Sequence, residues 1–227
     1  MSISSLSEET IELEPLIHHA VLDPFLDEES LGEACTAAKA LEFSGLCTHP
    51  IHISKIRDLM GERSKTKVIA VIAFPFGCIP RELKRKEAEW CIEKGAEEIE
   101  VVPNFFAIKE GKYEKYAEEI ADLCEIGIPA RIILDYFRLS KEELTFAIEG
   151  AIEAGAIGLQ SGNGFGPKIT PEVIHNLSGL IKSRCEIKAV GGIRTVEDAL
   201  GVIQSGASYI GTSLGPQLIK AFRNRFQ

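Results

Sequence analysis

Apolar and polar positions follow two different periods along the chain. Short apolar segments rich in β-branched residues, typical of buried strands, alternate with longer amphipathic segments typical of helices. The eight predicted strands lie at 15–23, 43–49, 67–77, 97–104, 130–136, 156–162, 186–193 and 208–213. The clearest predicted helices lie at 27–43, 80–95, 112–127, 140–155 and 195–206. Several of these helices begin at a capping Ser, Thr or Asp and end at Gly.

Eight strand-helix units in succession predict a barrel and not an open sheet. The strands are nearly continuous apolar runs, as expected of parallel strands that are covered on both faces. No linker or low-complexity segment interrupts the 227 residues, and α/β barrels of this size commonly form one domain. We therefore predict a single (β/α)8 TIM barrel domain over residues 1–227, with its functional residues at the carboxyl ends of the strands.

Composition and charge narrow the set of partners. The chain carries 25 basic and 34 acidic residues, a net charge of -9, which argues against nucleic acid or an anionic membrane as its main partner. Its six cysteines are scattered without a C-x-x-C pair, which indicates a reducing compartment. The N-terminus is polar, and no apolar run has the length of a membrane span. We expect a cytoplasmic protein.

Glycines and small hydroxyl side chains lie at the carboxyl ends of the last three predicted strands, in "SGNGFG", "GGIR" and "GTS". Backbone amides in such turns commonly hold a phosphate in barrels of this kind. Three such turns on adjacent strands are better explained by a phosphate site than by three tight turns that are unrelated to one another. Its predicted residues are Gly164, Phe165, Gly166, Gly191, Gly192, Arg194, Gly211, Thr212 and Ser213.

A lysine and a glutamate are predicted to face the barrel interior. In "EIKAV" the alternation of the strand points Lys188 inward, and "EEIEVV" does the same for Glu100. A buried amine is suited to carbonyl chemistry. A Lys–Glu ion pair of purely structural value, or a lysine whose head reaches water, explains the same pattern. The spacing alone does not decide between these interpretations.

Histidines and a cysteine supply weaker candidates. His18 and His19 are adjacent in a predicted strand, so one of them faces the barrel, where it has the chemistry of an acid or base, and the other packs outside. The spacing of Cys47, His49 and His52 is compatible with metal ligands. Pro50 is expected to begin a helix between them, and we predict no metal.

Six motifs together resemble the deoxyribose-phosphate aldolase family along nearly the whole chain. They are "LIHHAVLDP", "FPFG", "GAEEIEVV", "NGFG", "KAVGGIRTVEDAL" and "IGTS". The resemblance implies a class I aldolase barrel that cleaves 2-deoxyribose 5-phosphate to glyceraldehyde 3-phosphate and acetaldehyde through a lysine Schiff base, without metal or other cofactor. It also implies a small phosphorylated sugar or aldehyde as ligand, a phosphate site at the loops named above, and pairing into homodimers.

The chain departs from the family pattern at the residues that carry the chemistry. The resemblance places Gln160 where the family has its Schiff-base lysine. Family members carry aspartate at the positions of His18 and Glu100 and glutamate at the position of Asp135, whereas the second lysine of the family is retained as Lys188. The predicted site is therefore altered, and its candidate catalytic residues are these five.

The substitution at residue 160 leaves three classes of function open. A carboxamide nitrogen shares its lone pair with the carbonyl and cannot form an imine, so Gln160 is limited to binding or to a structural network. The first class is a phosphosugar-binding barrel whose family reaction is lost or strongly weakened. The second is an aldolase that uses Lys188 as its Schiff-base lysine. The third is a proton-transfer enzyme that uses His18 or His19 with Glu100.

Overall fold

Eight parallel strands close into the predicted barrel in a computed structural model that describes residues 11–226. Each strand pairs with the next in chain order, and β8 pairs with β1. The strands are β1 (Ile17–Val21), β2 (Gly45–Thr48), β3 (Lys67–Ile72), β4 (Glu98–Val101), β5 (Ala130–Ile133), β6 (Gly158–Gln160), β7 (Glu186–Val190) and β8 (Tyr209–Thr212). Residues 1–10, which carry most of the predicted polar N-terminus, lie outside the described residues.

The helices lie on the outside of the barrel and follow the predicted order. They are α1 (Glu28–Ala40), α2 (Ile53–Met60), α3 (Arg81–Glu93), α4 (Phe105–Lys109), α5 (Tyr113–Cys124), α6 (Lys141–Glu153), α7 (Pro171–Ile181), α8 (Val196–Gln204) and α9 (Gly215–Arg223). Short 3-10 helices lie at Glu14–Leu16 and Pro50–His52. None of the described helices has both the length and the apolar character needed to cross a membrane.

Side-chain caps fix where several helices begin, as the sequence predicts. The Asp27 carboxylate accepts from the backbone N–H of Ser30 at the start of α1. Ser140 and Thr195 open α6 and α8 with complete capping boxes. Each box satisfies two backbone N–H groups that the helix itself leaves unpaired. These caps set the lengths of the loops that follow the strands.

Alternation along each strand divides the apolar residues into two sets. The larger set packs between the sheet and the helices, and it contains Ile17, Val68 and Ile132 among many others. A smaller cluster of Cys47, Ile69 and Val71 lies apart from it, inside the barrel. The interior therefore holds few apolar side chains, and polar ones occupy much of the remaining space.

All eight strands end before their predicted bounds, and β3 and β5 show how the chain leaves the sheet. β3 stops at Ile72, because Ala73 adopts a left-handed backbone with φ 54°. The N–H of Ala73 then donates to the Glu87 carboxylate on α3 at 2.8 Å and not to a strand. β5 stops at Ile133. The early ends turn the following residues into loops around the mouth of the barrel.

Candidate active site

A cavity of about 490 Å³ opens at the carboxyl ends of the strands. Its walls include Glu100 from β4, Gln160 from β6 and Lys188 from β7, together with the loops after β6, β7 and β8. Four of the five predicted catalytic residues, His18 included, thus lie in or directly against one site. This position is where TIM barrels place their functional residues.

Lys188 and Glu100 form a direct ion pair in the barrel interior. Their side chains are 2% and 1% exposed, and the Lys188 ammonium contacts Glu100 Oε1. The Cys47 thiol donates to the other oxygen, Oε2, at 3.1 Å. A Cβ at position 211 would lie 2.8 Å from Lys188 Cε, so Gly211 provides room for the lysine stem. The structure therefore holds Lys188 in direct contact with a buried carboxylate.

The His18 imidazole and the Arg131 guanidinium also approach the Glu100 carboxylate. His18 Nδ1 lies 3.6 Å from Glu100 Oε1, and Arg131 Nε lies 3.8 Å from it. Burial alone raises the pKa of Glu100, but Lys188 first, and then His18 and Arg131, outweigh burial and hold that pKa well below its usual range. Burial and then Lys188 lower the pKa of His18 to about 4. At neutral pH the site therefore combines an ionised Glu100 with an uncharged His18.

The two adjacent histidines face opposite sides of β1, as predicted. The ring of His18 stacks on Tyr209 inside the barrel, with the ring centroids 4.5 Å apart. His19 lies on the opposite face of β1 and packs against Phe43, with the ring centroids 5.8 Å apart, and it also lines the cavity. Burial lowers the pKa of His19 as well. The structure thus identifies His18 as the histidine that reaches Glu100.

A second buried ion cluster, which the sequence analysis missed, lies beside the first. The Arg131 guanidinium is 1% exposed, and its Nη2 contacts Glu98 at 2.8 Å and Glu186 at 2.9 Å. The same guanidinium lies over the ring of Tyr209, with 5.3 Å between Cζ and the ring centroid. Gly158 makes room for it, since a Cβ there would lie 2.3 Å from Nη1. The two-residue alternation in "ARII" points Arg131 into the barrel, and this was the signal in the sequence that could have predicted the cluster.

Gln160 occupies the inner face of β6 beside Lys188. The two residues are register partners across β6 and β7. The Gln160 side chain is 3% exposed, and its Nε2 donates to the carbonyl oxygen of Gly162 at 2.7 Å. Its Oε1 is buried and has no hydrogen-bond partner among the described residues. Gln160 therefore fills the position beside Lys188 with an amide that has one unpaired acceptor.

Most of the predicted phosphate residues line this same cavity. Gly164, Phe165, Gly191, Gly192, Arg194, Gly211, Thr212 and Ser213 lie on its walls. Gly191 and Gly192 have φ values of 127° and 66°, a backbone that side chains disfavour. No ion pair involves the exposed Arg194 guanidinium in the part of the chain that the structure describes. Gly166 lines a small neighbouring cavity instead.

Asp135 lies apart from the ion pair. It follows the end of β5, its carboxylate is 3.8 Å from Arg138 Nη1, and its side chain is 26% exposed. It lines the small neighbouring cavity with Ser161 and Gly162, because the strand ends before it and the loop turns it outward. A catalytic role for Asp135 therefore stays a prediction, and the structure does not bring it to Lys188 and Glu100.

The spacing that suggested metal ligands does not produce a cluster. Cys47 points to Glu100, whereas His49 Nε2 lies 3.2 Å from the carbonyl oxygen of Leu22. Pro50 begins a 3-10 helix as expected. Within residues 11–226, the ligand atoms of His18, Glu98 and Glu100 come within 4.8 Å of one another. Lys188 and Arg131 already neutralise these carboxylates, so this donor set does not fit a cation well.

The closed barrel carries a cavity at the carboxyl ends of its strands, with Lys188 and glycine-rich loops on its walls, and known proteins share this barrel. A deoxyribose-phosphate aldolase of Trichormus variabilis is 35% identical over 210 residues, which cover 92% of both chains. One from Thermococcus gammatolerans is 32% identical over 94% of this chain and 98% of its own. No family model matches the chain. The chain belongs to the deoxyribose-phosphate aldolase family.

Solved structures give the same result for the fold. The structure described as "QR15, an Aldolase" superposes with a TM-score of 0.90 at 32% identity, covering 95% of this chain and 98% of its own. The tetrameric deoxyribose phosphate aldolase of Aeropyrum pernix superposes with a TM-score of 0.86 at 27% identity, covering 93% and 91%. The barrel described above is therefore the barrel of this family.

Proposed function

We propose that this chain binds a small phosphorylated sugar or aldehyde and that the family reaction is lost or strongly weakened in it. The relatives are named deoxyribose-phosphate aldolases, and we assign the phosphorylated ligand to this chain from that kinship and from the glycine-rich loops. The observation that carries the proposal is Gln160, a buried amide on the strand position where the resemblance places the Schiff-base lysine.

Gln160 is unsuited to the family chemistry in both its nature and its contacts. An amide nitrogen cannot attack a carbonyl carbon to give an imine, because its lone pair is delocalised. Its Nε2 also donates to the Gly162 carbonyl oxygen at 2.7 Å, which fixes the side chain. A residue that is held in this way can orient a ligand by hydrogen bonding but supplies no nucleophile.

Lys188 is the remaining lysine of the cavity, and its surroundings oppose nucleophilic attack. An amine must lose its proton before it attacks a carbonyl, and Glu100 stabilises the protonated form through direct contact. The neighbouring cation that would favour the free amine is absent at position 160. Removing the proton would also leave Glu100 buried with less compensation, which adds to the cost.

The phosphate end of the proposed ligand would lie at the loops after β6, β7 and β8. The glycine turns and Arg194, whose guanidinium has no ion-pair partner among the described residues, line the same cavity, and backbone N–H groups with a guanidinium are suited to binding a dianion. Because the cavity extends from these loops to Lys188, a single small ligand has room to contact both ends.

One alternative retains support from the structure. Lys188 lines the cavity, so a family reaction through a Lys188 Schiff base is sterically accessible. The third class, proton transfer by His18 and Glu100, is less well supported. Lys188 and the Cys47 thiol already occupy the two oxygens of Glu100, which leaves the carboxylate poorly placed to accept a substrate proton.

Turnover measurements test the proposal. The purified chain is incubated with 2-deoxyribose 5-phosphate, and released acetaldehyde is measured beside the Thermococcus gammatolerans relative as a positive control. We expect at most a trace of cleavage, which disappears in Lys188→Ala. Turnover comparable to that of the relative would refute the proposed loss of activity. Absence of phosphate binding by calorimetry would refute the proposed ligand class.

A further inference from the structure

Gln160 and Lys188 form what we call the floor of the cavity. On this floor, the Gly162 carbonyl oxygen determines that the unpaired atom of the Gln160 amide is its oxygen, a hydrogen-bond acceptor. Gln160 Nε2 donates to the carbonyl oxygen of Gly162 at 2.7 Å. A carbonyl oxygen only accepts, so the amide must turn its NH₂ group toward it. Oε1 therefore points away from Gly162, buried and unpartnered among the described residues. A buried acceptor in this state favours a ligand that donates.

Lys188 places hydrogen-bond donors beside this acceptor. An ammonium group carries three N–H bonds, and in the structure the Lys188 ammonium donates to Glu100 Oε1. Lys188 is the register partner of Gln160, and both residues line the cavity. The floor thus offers remaining N–H groups on β7 and a free acceptor on β6, at adjacent positions.

A hydroxyl group matches this pair, whereas a carbonyl oxygen does not. A hydroxyl accepts from the ammonium and donates to the amide oxygen at the same time. A carbonyl oxygen also accepts from the ammonium but leaves Gln160 Oε1 unpaired in a buried position. We infer that the ligand of this chain is a phosphate ester of a polyhydroxylated compound whose hydroxyl, at the end remote from the phosphate, bridges Lys188 and Gln160.

This inference rests on the proposed function and narrows it from a sugar or aldehyde phosphate to a phosphorylated polyol. An aldolase needs a carbonyl carbon next to its lysine, whereas this floor is built for the reduced or hydroxylated form. The change from lysine to glutamine would therefore alter what the cavity selects in addition to removing a nucleophile.

Calorimetric titration with matched probes tests the inference. The probes are inorganic phosphate, 2-deoxyribitol 5-phosphate, and its 1-O-methyl ether, which keeps the terminal oxygen as an acceptor but cannot donate. We expect the polyol phosphate to bind more tightly than phosphate and at least about tenfold more tightly than the ether, since the ether leaves Oε1 unpaired. Equal affinities for the polyol and the ether would overturn the inference.

A variant separates hydrogen bonding from the added bulk of the methyl group. Gln160→Met keeps the length of the side chain and removes the acceptor, so the polyol and the ether should bind to it within about threefold of each other. A preference that persists in Gln160→Met would show that size, not hydrogen bonding, sets it, and would refute the inference. Gln204→Met, the same change at an exposed position on α8, should keep the wild-type preference.

Titration with inorganic phosphate distinguishes failure of the proposed ligand class from failure of the hydroxyl inference. If phosphate binds and the polyol phosphate binds no better, the phosphate loops function as proposed and the hydroxyl inference alone is wrong. If neither probe binds, the proposed ligand class fails, and the hydroxyl inference fails with it.

Discussion

Replacing Gln160 by lysine returns a primary amine to the position where the family resemblance places its nucleophile. Gln160 and Lys188 are register partners on adjacent strands, and both point into the barrel. The introduced amine would therefore lie next to an existing ammonium, at a position where Gln160 is only 3% exposed. Both burial and the neighbouring cation favour its uncharged form.

The charges around this position set the size of the effect. Lys188 and Arg131 face Glu98 and Glu100, and all four side chains are 2% exposed or less. These four buried charges balance, and the third carboxylate, Glu186, is 41% exposed and already contacts Arg131, so an added ammonium would have no buried carboxylate of its own. Lowering a lysine pKa from about 10.4 to about 7 corresponds to about 4.6 kcal/mol. Buried lysines reach depressions of this size, so a free amine is expected near neutral pH.

The depressed pKa expected for the introduced lysine also sets the pH dependence of stability in Gln160→Lys. A lysine whose pKa is depressed in the folded state destabilises the fold most at pH values below that folded pKa. The penalty then shrinks as the pH rises toward about 10.4, where the unfolded chain also loses the proton. Relative to Gln160→Met, Gln160→Lys should therefore lose stability at pH 7 and recover part of it at pH 10, as thermal unfolding would show.

Borohydride trapping with acetaldehyde, followed by peptide mass mapping, detects the expected imine. Gln160→Lys should trap aldehyde at residue 160, and Gln160→Met should not. Turnover of 2-deoxyribose 5-phosphate should lag behind trapping, because the resemblance places aspartates of the family at the positions of Glu100 and His18, and small misplacements can cost about a hundredfold. If Gln160→Lys folds normally and traps no aldehyde, strand β6 does not present residue 160 to a carbonyl ligand, and the reasoning fails.

Three other substitutions test the electrostatics of the fold and of the site. Lys84→Met leaves Glu119 buried without its partner at 2.7 Å, and should lower the free energy of unfolding by about 3 to 5 kcal/mol in a denaturant titration; a loss below about 1 kcal/mol would contradict this. Arg194→Ala should weaken phosphate binding by about 1.5 to 3 kcal/mol in calorimetry, and unchanged affinity would place the anion elsewhere. Glu100→Gln leaves the Lys188 ammonium uncompensated and should cost about 3 to 5 kcal/mol at pH 7. Because the folded pKa of Glu100 is lowered, its stabilisation is present above its unfolded pKa and is lost as pH falls through the folded pKa; a stability gap between wild type and this variant that fails to narrow in strong acid would contradict the assignment.

The sequence predicted the elements of this barrel well because each level of the pattern agrees with the others. Strands that are covered on both faces read as apolar runs, and caps such as Ser140 and Thr195 mark the helix starts. The inward direction of Lys188 and Glu100 follows from the two-residue period of a strand alone. Their contact needed only the closure of the barrel, which the repeat of eight units implies.

The buried ion cluster around Arg131 was not predicted, for a physical reason. Its partners Glu98 and Glu186 belong to β4 and β7, strands that are distant in sequence from β5. A single charged residue at the start of an apolar strand, such as Arg131, is expected from sequence to lie at the strand end and to reach water. Only the closed barrel brings these three residues together, and it buries Arg131 and Glu98 while Glu186 stays 41% exposed.

Local backbone geometry limited the prediction of the site itself. The orientation of the Gln160 amide depends on the Gly162 carbonyl turning back toward it, which residue types do not reveal. The family resemblance places Asp135 in the site, but β5 ends at Ile133 and Asp135 lines a neighbouring cavity. A few backbone dihedral angles determine such turns, and many different sequences adopt the same angles, so residue types alone do not predict the turns.

Aldehyde trapping in the unmodified chain tests most directly whether the family chemistry is lost. The wild type and Lys188→Ala are treated briefly with acetaldehyde and borohydride at neutral pH, and each lysine-containing peptide is weighed. The account predicts that the peptide containing Lys188 keeps its mass, since Glu100 holds the ammonium and Gln160 supplies no amine. A reduced adduct at Lys188 that forms faster than those at exposed lysines would contradict the account and identify Lys188 as the Schiff-base residue.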